Sequence, residues 1–422
     1  NPDRVIKSVD GDYDPPCDDL PDNHVYNMWY NNHAILFHKF NKGYWLPIKK
    51  DWYYGCGEFG VEGLDTVDLM KRRYPKEWIK EPFDPNDILY AQTGTNYCTF
   101  YSAGTSMVDW VEKSRNYQAF AVKFMTEFFR RDPLNVSFAV HLFIDAWPAG
   151  WMKAIMDCER MPKSAYFAYR NALKPVITSF RTDRYTYFAG EQIKIENYIC
   201  NDTNLQTSGK IVYCVKNSVG KTVFFGEKYI SCNPCDSIYA HTVSFTVESV
   251  NSREKFKVCS YYVDDNNKSL NCVNEIEIEV FAPIKYVPNG KLKIIELKTR
   301  GEQEICGEKV KVFDMYAGGV YFVETPETGI FKDIKKDDLR WLYDKNTDMI
   351  NYTANNAFTS EGFTPLIVKP KYSGVDMGRE ELMSFKRIGE EVVVITTINL
   401  LKENPIIALL LKDLNENICE LK

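Results

Sequence analysis

The hydrophobic pattern of this chain changes near Val176, and that change constrains the fold more than any other feature. Before it, continuous apolar stretches are separated by segments whose apolar residues recur at helical spacing. After it, short stretches alternate apolar and polar residues, with turn sequences such as Asn201-Asp202 between them. Continuous apolar strands that alternate with helices indicate βα units around a parallel sheet, whereas alternating strands indicate antiparallel sheets with one solvated face.

The part before Val176 is predicted to contain four buried strands and three helices. The predicted strands are Arg4–Asp10, Asn23–Tyr30, Trp52–Glu58 and Ser137–Phe143. The predicted helices are Thr66–Arg73, Ser106–Arg131 and Pro162–Leu173. Pro75 and Pro133 closely follow two of these helices, and proline cannot continue a helix. The long polar segment 81–105 is predicted to be a loop, and loops of that length are usually functional or mobile.

The part after Val176 is predicted to form strands separated by turns. The predicted strands are Gln192–Cys200, Gly209–Lys216, Thr242–Val247, Phe256–Tyr262 and Glu275–Phe281. Their number and spacing are typical of an immunoglobulin-like β-sandwich. From Lys285 onward, the buried strands KLKIIEL and EEVVVITTINL and a short helix at Asp337–Tyr343 indicate a small α/β domain.

Composition narrows the range of possible functions. The chain has 422 residues, of which 45% are hydrophobic and 26% charged, as in ordinary globular proteins. A net charge of −6 argues against a nucleic acid as partner, and no apolar run approaches the roughly 20 residues that span a bilayer. The 12 Cys lack a framework spacing, so we expect reduced thiols and a cytoplasmic location. The 14% of aromatic residues suit either a sugar-binding cleft or aromatic cores.

The stretch WYYGCGEFGVEGLD, residues 52–65, carries the strongest candidate for chemistry. Glu58 stands at the end of a short buried strand, and Phe59-Gly60 turns the chain away from it. An α/β barrel places its active site at the C-terminal ends of its strands, so a carboxylate there is a candidate catalytic group. The alternative is a solvated acid in a turn. Glu62 is a second acid nearby, and we expect it to face a loop beyond the turn.

Other candidate sites have simpler explanations. Cys232-x-x-Cys235 has the spacing of half a zinc site, but no second pair of ligands follows at the required distance, which favours a plain loop. His141 lies within a predicted strand, where it can be a core or barrel-lining residue or a catalytic one. No metal ligands are predicted.

Four motifs together resemble the second half of the enzymes of glycoside hydrolase family 2. They are the Asn1-Pro2-Asp3-Arg4 turn before a strand, a strand carrying His24, Tyr26, Trp29 and Tyr30, the sequence Gly57-Glu58-Phe59-Gly60, and Asp145-Ala146-Trp147-Pro148 followed by Pro162-Lys163 and Lys174-Pro175-Val176. The resemblance covers roughly residues 1–283, and the β-mannosidase-like branch is the most similar by eye. It implies the second half of a (β/α)8 TIM barrel at 1–176 and a sandwich at 177–283, followed by an accessory α/β domain at 284–422.

The resemblance also implies an activity and roles for individual residues. The chain would belong to a retaining exo-β-glycosidase that acts on an oligosaccharide or glycoside without a cofactor, and a homo-oligomer is one candidate assembly. Glu58 would be the nucleophile, and Tyr26 or Tyr30 would donate a hydrogen bond to it. The residues that would line the sugar pocket are His24, Trp29, Asp145, Trp147 and Trp151.

One part of that mechanism is missing from the sequence. The family places its acid/base in an Asn-Glu pair at the end of the fourth barrel strand, and nothing in this chain matches that pair. Half a barrel alone would also expose strand edges and an unfilled interior. We therefore expect this chain to be a fragment whose partner is the N-terminal half of the same protein. The alternative is a non-catalytic carbohydrate-binding or assembly subunit.

Overall fold

The computed structural model of the protein describes residues 22–25, 53–76, 79, 106–148, 153–266, 273–314, 329–335, 338–344, 349–350, 354, 356–373, 376–401 and 403–420. The predicted strand Arg4–Asp10 and the long segment 81–105 lie outside these residues, as does most of the predicted strand Asn23–Tyr30. Of the described helices, none has the length and apolar character that crossing a membrane requires.

The first described unit is a parallel sheet of three strands with three helices. The strands are β1 (Asp22–Val25), β2 (Tyr54–Phe59) and β3 (Asn135–Val140), in the spatial order β1-β2-β3. The helices are α1 (Val67–Arg73), α2 (Met107–Arg131) and α3 (Ser164–Ala172). Both strand pairings are parallel, as the continuous apolar strands predicted.

Local sequence signals explain where the helices begin and end. Thr66 Oγ1 accepts a hydrogen bond from the Leu69 amide at the start of α1, and Ser106 Oγ accepts one from the Asp109 amide at the start of α2. These contacts satisfy amides that have no partner within the helix. Basic residues occupy the last turn of both helices, where they complement the helix dipole. The predicted helices Thr66–Arg73 and Ser106–Arg131 are confirmed to within one residue.

An aromatic cluster holds the C-terminal end of β2 against α2. The Phe59 ring is fully buried and meets Phe129 edge-on at 5.3 Å between centroids. Phe129 stacks in turn on Phe138 of β3 at 5.5 Å. Burying rings of this size is worth about 1.5–3 kcal/mol each. The packing of Phe59 therefore fixes the backbone next to Glu58 against α2.

The second unit contains two sheets packed face to face, and their strands are antiparallel except for the parallel pair Thr186–Phe188 and Asn274–Phe281. One sheet has the order β4-β6-β9, with β4 at Val176–Arg181, β6 at Gln192–Asn201 and β9 at Asp236–Thr246. The other has the order β5-β11-β10-β7-β8, with β5 at Thr186–Phe188, β7 at Thr207–Lys216, β8 at Thr222–Cys232, β10 at Arg253–Asp264 and β11 at Asn274–Phe281. Ile195 and Val243 of the first sheet share a core with Val215 and Val258 of the second. All five predicted strands are present, whereas β4, β5 and β8 were not predicted.

Arg130, near the end of α2, ties the parallel-sheet unit to the start of the sandwich. Its guanidinium is buried and donates to the carbonyl oxygens of Ala172, Lys174 and Pro175. It also lies 2.9 Å from the carboxylate of Asp202. The chain leaving α3 is therefore held at several points just before β4 begins.

The third unit is a mixed sheet of seven strands with one long helix. In chain order the strands are β12 (Leu292–Glu296), β13 (Gly301–Ile305), β14 (Glu308–Asp314), β17 (Asn356–Ser360), β18 (Thr364–Ser373), β19 (Asp376–Ile388) and β20 (Glu391–Thr396). A separate two-stranded ladder is formed by β15 (Tyr343–Asp344) and β16 (Met349–Ile350). The helix is α4 (Pro405–Asn417), and short 3-10 turns lie at Asp338–Trp341 and Ile418–Glu420.

The strand β20 is buried on both faces of this sheet. Val392 and Val394 belong to the core that also contains Leu410 of α4, whereas Val393 and Ile395 belong to a second core on the other face. A strand that is covered on both faces has a continuous run of apolar residues. This run explains why β20 could be predicted as a buried strand from its sequence. The predicted helix Asp337–Tyr343 is a shorter 3-10 turn.

Candidate functional site

Three neighbouring parallel strands bring His24, Glu58 and His141 together at their C-terminal ends. His24 of β1 pairs in register with Glu58 of β2, and His141 directly follows the last residue of β3. The Glu58 Oε2 atom lies 3.4 Å from His24 Nδ1 and 3.9 Å from His141 Nδ1. The Glu58 side chain is 32% exposed, so a ligand can reach its carboxylate.

Of the remaining predicted site residues, Asp145 and Trp147 are the two that the structure describes. Tyr26, Trp29, Tyr30 and Trp151 lie outside the described residues. The side chain of Trp147 is exposed, and that of Asp145 is buried. The roles given to these residues stay predictions.

The turn after Glu58 allows the ends of β2 and β3 to touch. The His141 amide donates to the Phe59 carbonyl oxygen at 2.8 Å. The next residue, Gly60, has a φ of +155°, and a Cβ atom added to it would lie 2.6 Å from the His141 carbonyl oxygen. Only glycine adopts this conformation without strain and leaves room for the neighbouring backbone. Gly60 therefore sets the approach of His141 to Glu58.

Replacing Gly60 by alanine is expected to lower the free energy of unfolding by on the order of 2 kcal/mol, since both the backbone conformation and the His141 carbonyl oppose a Cβ atom. Gly220→Ala is the matched control, because Gly220 also has a positive φ but open space around it. Urea unfolding of the two variants would measure the difference. Equal stability of the two variants would show that the contact with His141 is unimportant.

The chain beyond Gly60 is fixed by buried polar contacts from α2. Gln118 Nε2 lies within hydrogen-bond distance of the carbonyl oxygens of Val61, Lys153 and Ala154. Ser114 Oγ accepts from the Leu64 amide at 3.0 Å. A Cβ atom on Gly63 would lie 2.1 Å from Gln118 Oε1, so this position also has no room for a side chain. The loop that carries the chain away from Glu58 is thus rigidly packed.

Two buried charged residues, Glu62 and Lys153, accompany Glu58 and His141. Glu62 is completely buried, and the expectation that it faces a loop stays a prediction. Burial lowers the pKa of Lys153 to about 8, and the charges of Glu62 and Glu58 oppose that shift. Burial also lowers the pKa of His141, against the effect of Glu58 and with added repulsion from Lys153 and His24. His141 is therefore held towards its neutral form, which can donate one hydrogen bond and accept another.

The pKa of Lys153 predicts a dependence of stability on pH. The folded chain releases this proton near pH 8, whereas the pKa of an unburied lysine is 10.5. Between these values the unfolded chain binds more protons, so the free energy of unfolding rises with pH, by up to about 1.4 kcal/mol per pH unit. We expect Lys153→Met to remove this rise, and the exposed Lys210→Met to keep it. Urea unfolding across this pH range would test both, and parallel curves for Lys153→Met and the unaltered chain would contradict it.

A second set of buried charges lies around Lys163, just before α3. Lys163 Nζ lies 3.1 Å from Asp65 Oδ1 and 3.7 Å from Asp145 Oδ2, and it donates to the Gly63 carbonyl oxygen at 2.7 Å. Tyr74 donates from its hydroxyl to Asp65 Oδ2 at 2.8 Å. Each of these four side chains is buried. This network joins the loop after β2 to the segments that follow β3.

No sequence motif indicates that His141 and Lys153 approach Glu58. The sequence leaves His141 open between a core and a catalytic position, and Lys153 belongs to no motif. Its segment follows β3 and lies beside it, with the Ile155 amide donating to the Leu142 carbonyl oxygen at 2.9 Å. A lysine in a mostly apolar stretch after a strand is the only signal that could have pointed to it.

The Cys232-x-x-Cys235 motif is a turn with two differently placed thiols. Cys232 is buried, whereas Cys235 is exposed, and each thiol lies near a backbone carbonyl oxygen, of Asp236 and Thr203 respectively. Burial raises the pKa of Cys232 to about 12, which disfavours the thiolate that zinc requires. Among the residues described by the structure, no group of three or more His, Cys, Asp or Glu is arranged to hold a metal ion.

No family model and no curated protein matches the sequence. Among solved structures, the chain is similar to the β-D-mannosidase from Dictyoglomus thermophilum, with 16% identity, a TM-score of 0.48, and coverage of 88% of this chain and 41% of that one. It is also similar to the exo-chitosanase CsxA from Amycolatopsis orientalis, with 16% identity, a TM-score of 0.42, and coverage of 61% and 30%. Both are glycosidases by name, and the chain spans less than half of either enzyme.

Proposed function

We propose that this chain carries the nucleophile of a retaining exo-β-glycosidase, which hydrolyses terminal β-linked sugars by double displacement. The observation that carries the proposal is the Glu58 carboxylate, partly exposed at the C-terminal end of a parallel strand and flanked by His24 and His141. In α/β barrels, catalytic groups stand at this position on several neighbouring strands. The proposal includes the domains expected from the sequence: a half barrel at 1–176, an immunoglobulin-like sandwich at 177–283 and an accessory domain at 284–422.

In this mechanism Glu58 attacks the anomeric carbon of the terminal sugar while the bond to the leaving oxygen breaks. An acid group donates a proton to that oxygen, and a glycosyl ester of Glu58 remains. The same group, now a base, takes a proton from water, which attacks the anomeric carbon and releases Glu58. Retaining enzymes hold the two carboxyl groups about 5–5.5 Å apart. By the resemblance, the acid/base would come from an Asn-Glu pair upstream of this chain.

The two imidazoles would orient the Glu58 carboxylate for attack. Each has a ring nitrogen within 4 Å of the same oxygen, Oε2. Tyr26 or Tyr30 would add a hydrogen bond, and Trp29, Asp145, Trp147 and Trp151 would contribute to the sugar pocket. Mannoside, galactoside, glucuronide and glucosaminide all remain candidate substrates.

A non-catalytic carbohydrate-binding subunit is the second candidate function. The exposed ring of Trp147, 61% accessible, favours it, because such a ring can stack on the face of a sugar without any reaction. The two candidates differ in one property. Only the enzyme forms a covalent bond between Glu58 and a sugar.

Covalent trapping would distinguish the two candidates. The longest natural form of the protein would be incubated with 2-deoxy-2-fluoro β-glycosyl fluorides of the manno, gluco and galacto series, and intact and peptide masses would be recorded. A fluoro-sugar on the peptide that contains Glu58 would support the enzyme and indicate its preferred sugar. Sugar binding without an adduct, on a folded protein, would favour the binding subunit.

A further inference from the structure

Two cysteines of the sandwich stand directly opposite each other on neighbouring strands. Cys214 of β7 pairs in register with Cys259 of β10, and the strands are antiparallel. The inward residues of these strands, Val215 and Val258, belong to the sandwich core. Because side chains alternate along a strand, Cys214 and Cys259 both lie on the outer face of the sheet. The two cysteines therefore share one face of the sheet at directly opposed positions.

The surroundings make one thiol more accessible than the other. Cys259 is 6% exposed, with Glu275 opposite it on β11. The Lys257 ammonium pairs with Glu275 at 3.2 Å on the same outer face. Cys214 is half-buried, and its neighbour on β8 is the exposed Phe225. A small reagent from solvent would therefore meet Cys214 first.

The separation of the two residues suits a disulfide without movement of the backbone. Directly opposed residues of antiparallel strands have Cα atoms about 4.5–5.5 Å apart. Disulfides join Cα atoms that are about 4.4–6.8 Å apart. Both side chains also leave the same face of the sheet, because the two residues are directly opposed. Side-chain rotation is then enough to form the bond.

We propose that Cys214 and Cys259 form a dithiol site that low-molecular-weight disulfides oxidise to a cross-strand disulfide. The Cys214 thiolate attacks one sulfur of the reagent, and one small thiol leaves with a proton. The Cys259 thiol then loses its proton and attacks the Cys214 sulfur of the mixed disulfide, which releases the second small thiol. Two protein thiols are oxidised and one disulfide is reduced to two thiols.

The order of these steps follows from the two environments. Burial, together with the charges of Cys214 and Glu275, raises the pKa of Cys259 to about 11, and Lys216 opposes this shift. A thiol of that pKa is a poor attacking group from solution. Its role is that of the resolving thiol, because the sulfur that it attacks is held beside it. The resulting bond would fix the register of β7 against β10.

A single exposed cysteine of the same chain, Cys306, provides the comparison. Cys306 lies in a turn with a positive φ. Reaction with a small disulfide at such a position stops at the mixed disulfide. The two kinds of site can therefore be compared in one sample of the protein.

Oxidised glutathione is the probe that we would use, on the full chain under native conditions, with peptide masses as the readout. We expect the peptides of Cys214 and Cys259 to become linked without retained glutathione, while Cys306 retains it. Cys259→Ser should trap glutathione on Cys214, and Cys306→Ser should leave the cross-link unchanged. Glutathione retained on Cys214 of the unaltered chain, or reduced Cys214 and Cys259 beside modified Cys306, would overturn the proposal. The cross-link in the unaltered chain is measured without any variant, so the test remains valid if Cys259→Ser does not fold.

Discussion

Replacing Glu58 by glutamine is expected to lower the turnover of the best aryl β-glycoside by about 10³-fold or more, because the amide cannot form the glycosyl ester on which double displacement depends. The fold should survive, since the side chain is 32% exposed and the neighbouring Phe59 keeps its packing. Turnover would be measured on the longest natural form of the protein, and circular dichroism would verify the fold. Near-normal turnover in the folded variant would remove Glu58 from the mechanism.

A rescue experiment separates loss of the nucleophile from indirect damage. In Glu58→Ala, the cavity left by the carboxylate can admit azide, which should attack the anomeric carbon from the same side and yield a glycosyl azide of inverted configuration. Glu62→Ala is the matched control, because Glu62 is a neighbouring acid that is completely buried. It should lose stability and show no azide product. Azide product from Glu62→Ala alone would assign the nucleophile to Glu62.

Local elements were predictable because their signals lie within a few residues. Thr66 and Ser106 cap the helices that were predicted to begin there, and Pro75 lies just beyond the end of the first. The strand β20 was recognised because both of its faces are buried, which gives a continuous apolar run. These features need no knowledge of distant parts of the chain.

The strand β8 was missed because it lies at the edge of its sheet. Val223, Phe225 and Tyr229 are all exposed on it, while Phe224 on the other face packs against the sandwich core. Apolar residues on both faces hide the alternation that marks a half-buried strand. Pairing with β7, rather than its own pattern, decides its structure.

Which residues surround Glu58 depends on the register of the paired strands, so they could not be predicted from the sequence. Glu58 and His141 are separated by α1, α2 and the segments around them, and only the parallel pairing of β2 with β3 sets them side by side. Their contact also needs the space that Gly60 leaves for the His141 carbonyl. No local pattern reports such a distance. A strand end that carries an acid indicated the position of the site but not its other members.

Replacing Lys163 by methionine is expected to lower the free energy of unfolding by about 3–5 kcal/mol, because Asp65 and Asp145 would keep buried charges without their shared cation. The Gly63 carbonyl would also lose its donor. The exposed pair Lys210–Glu227 is the control, and Lys210→Met should cost at most about 1 kcal/mol. Adding Asp65→Asn to Lys163→Met should recover part of the loss, since one uncompensated charge is removed. Urea unfolding of the four chains would test this, and a loss for Lys163→Met as small as that for Lys210→Met would show that the buried network contributes little to stability.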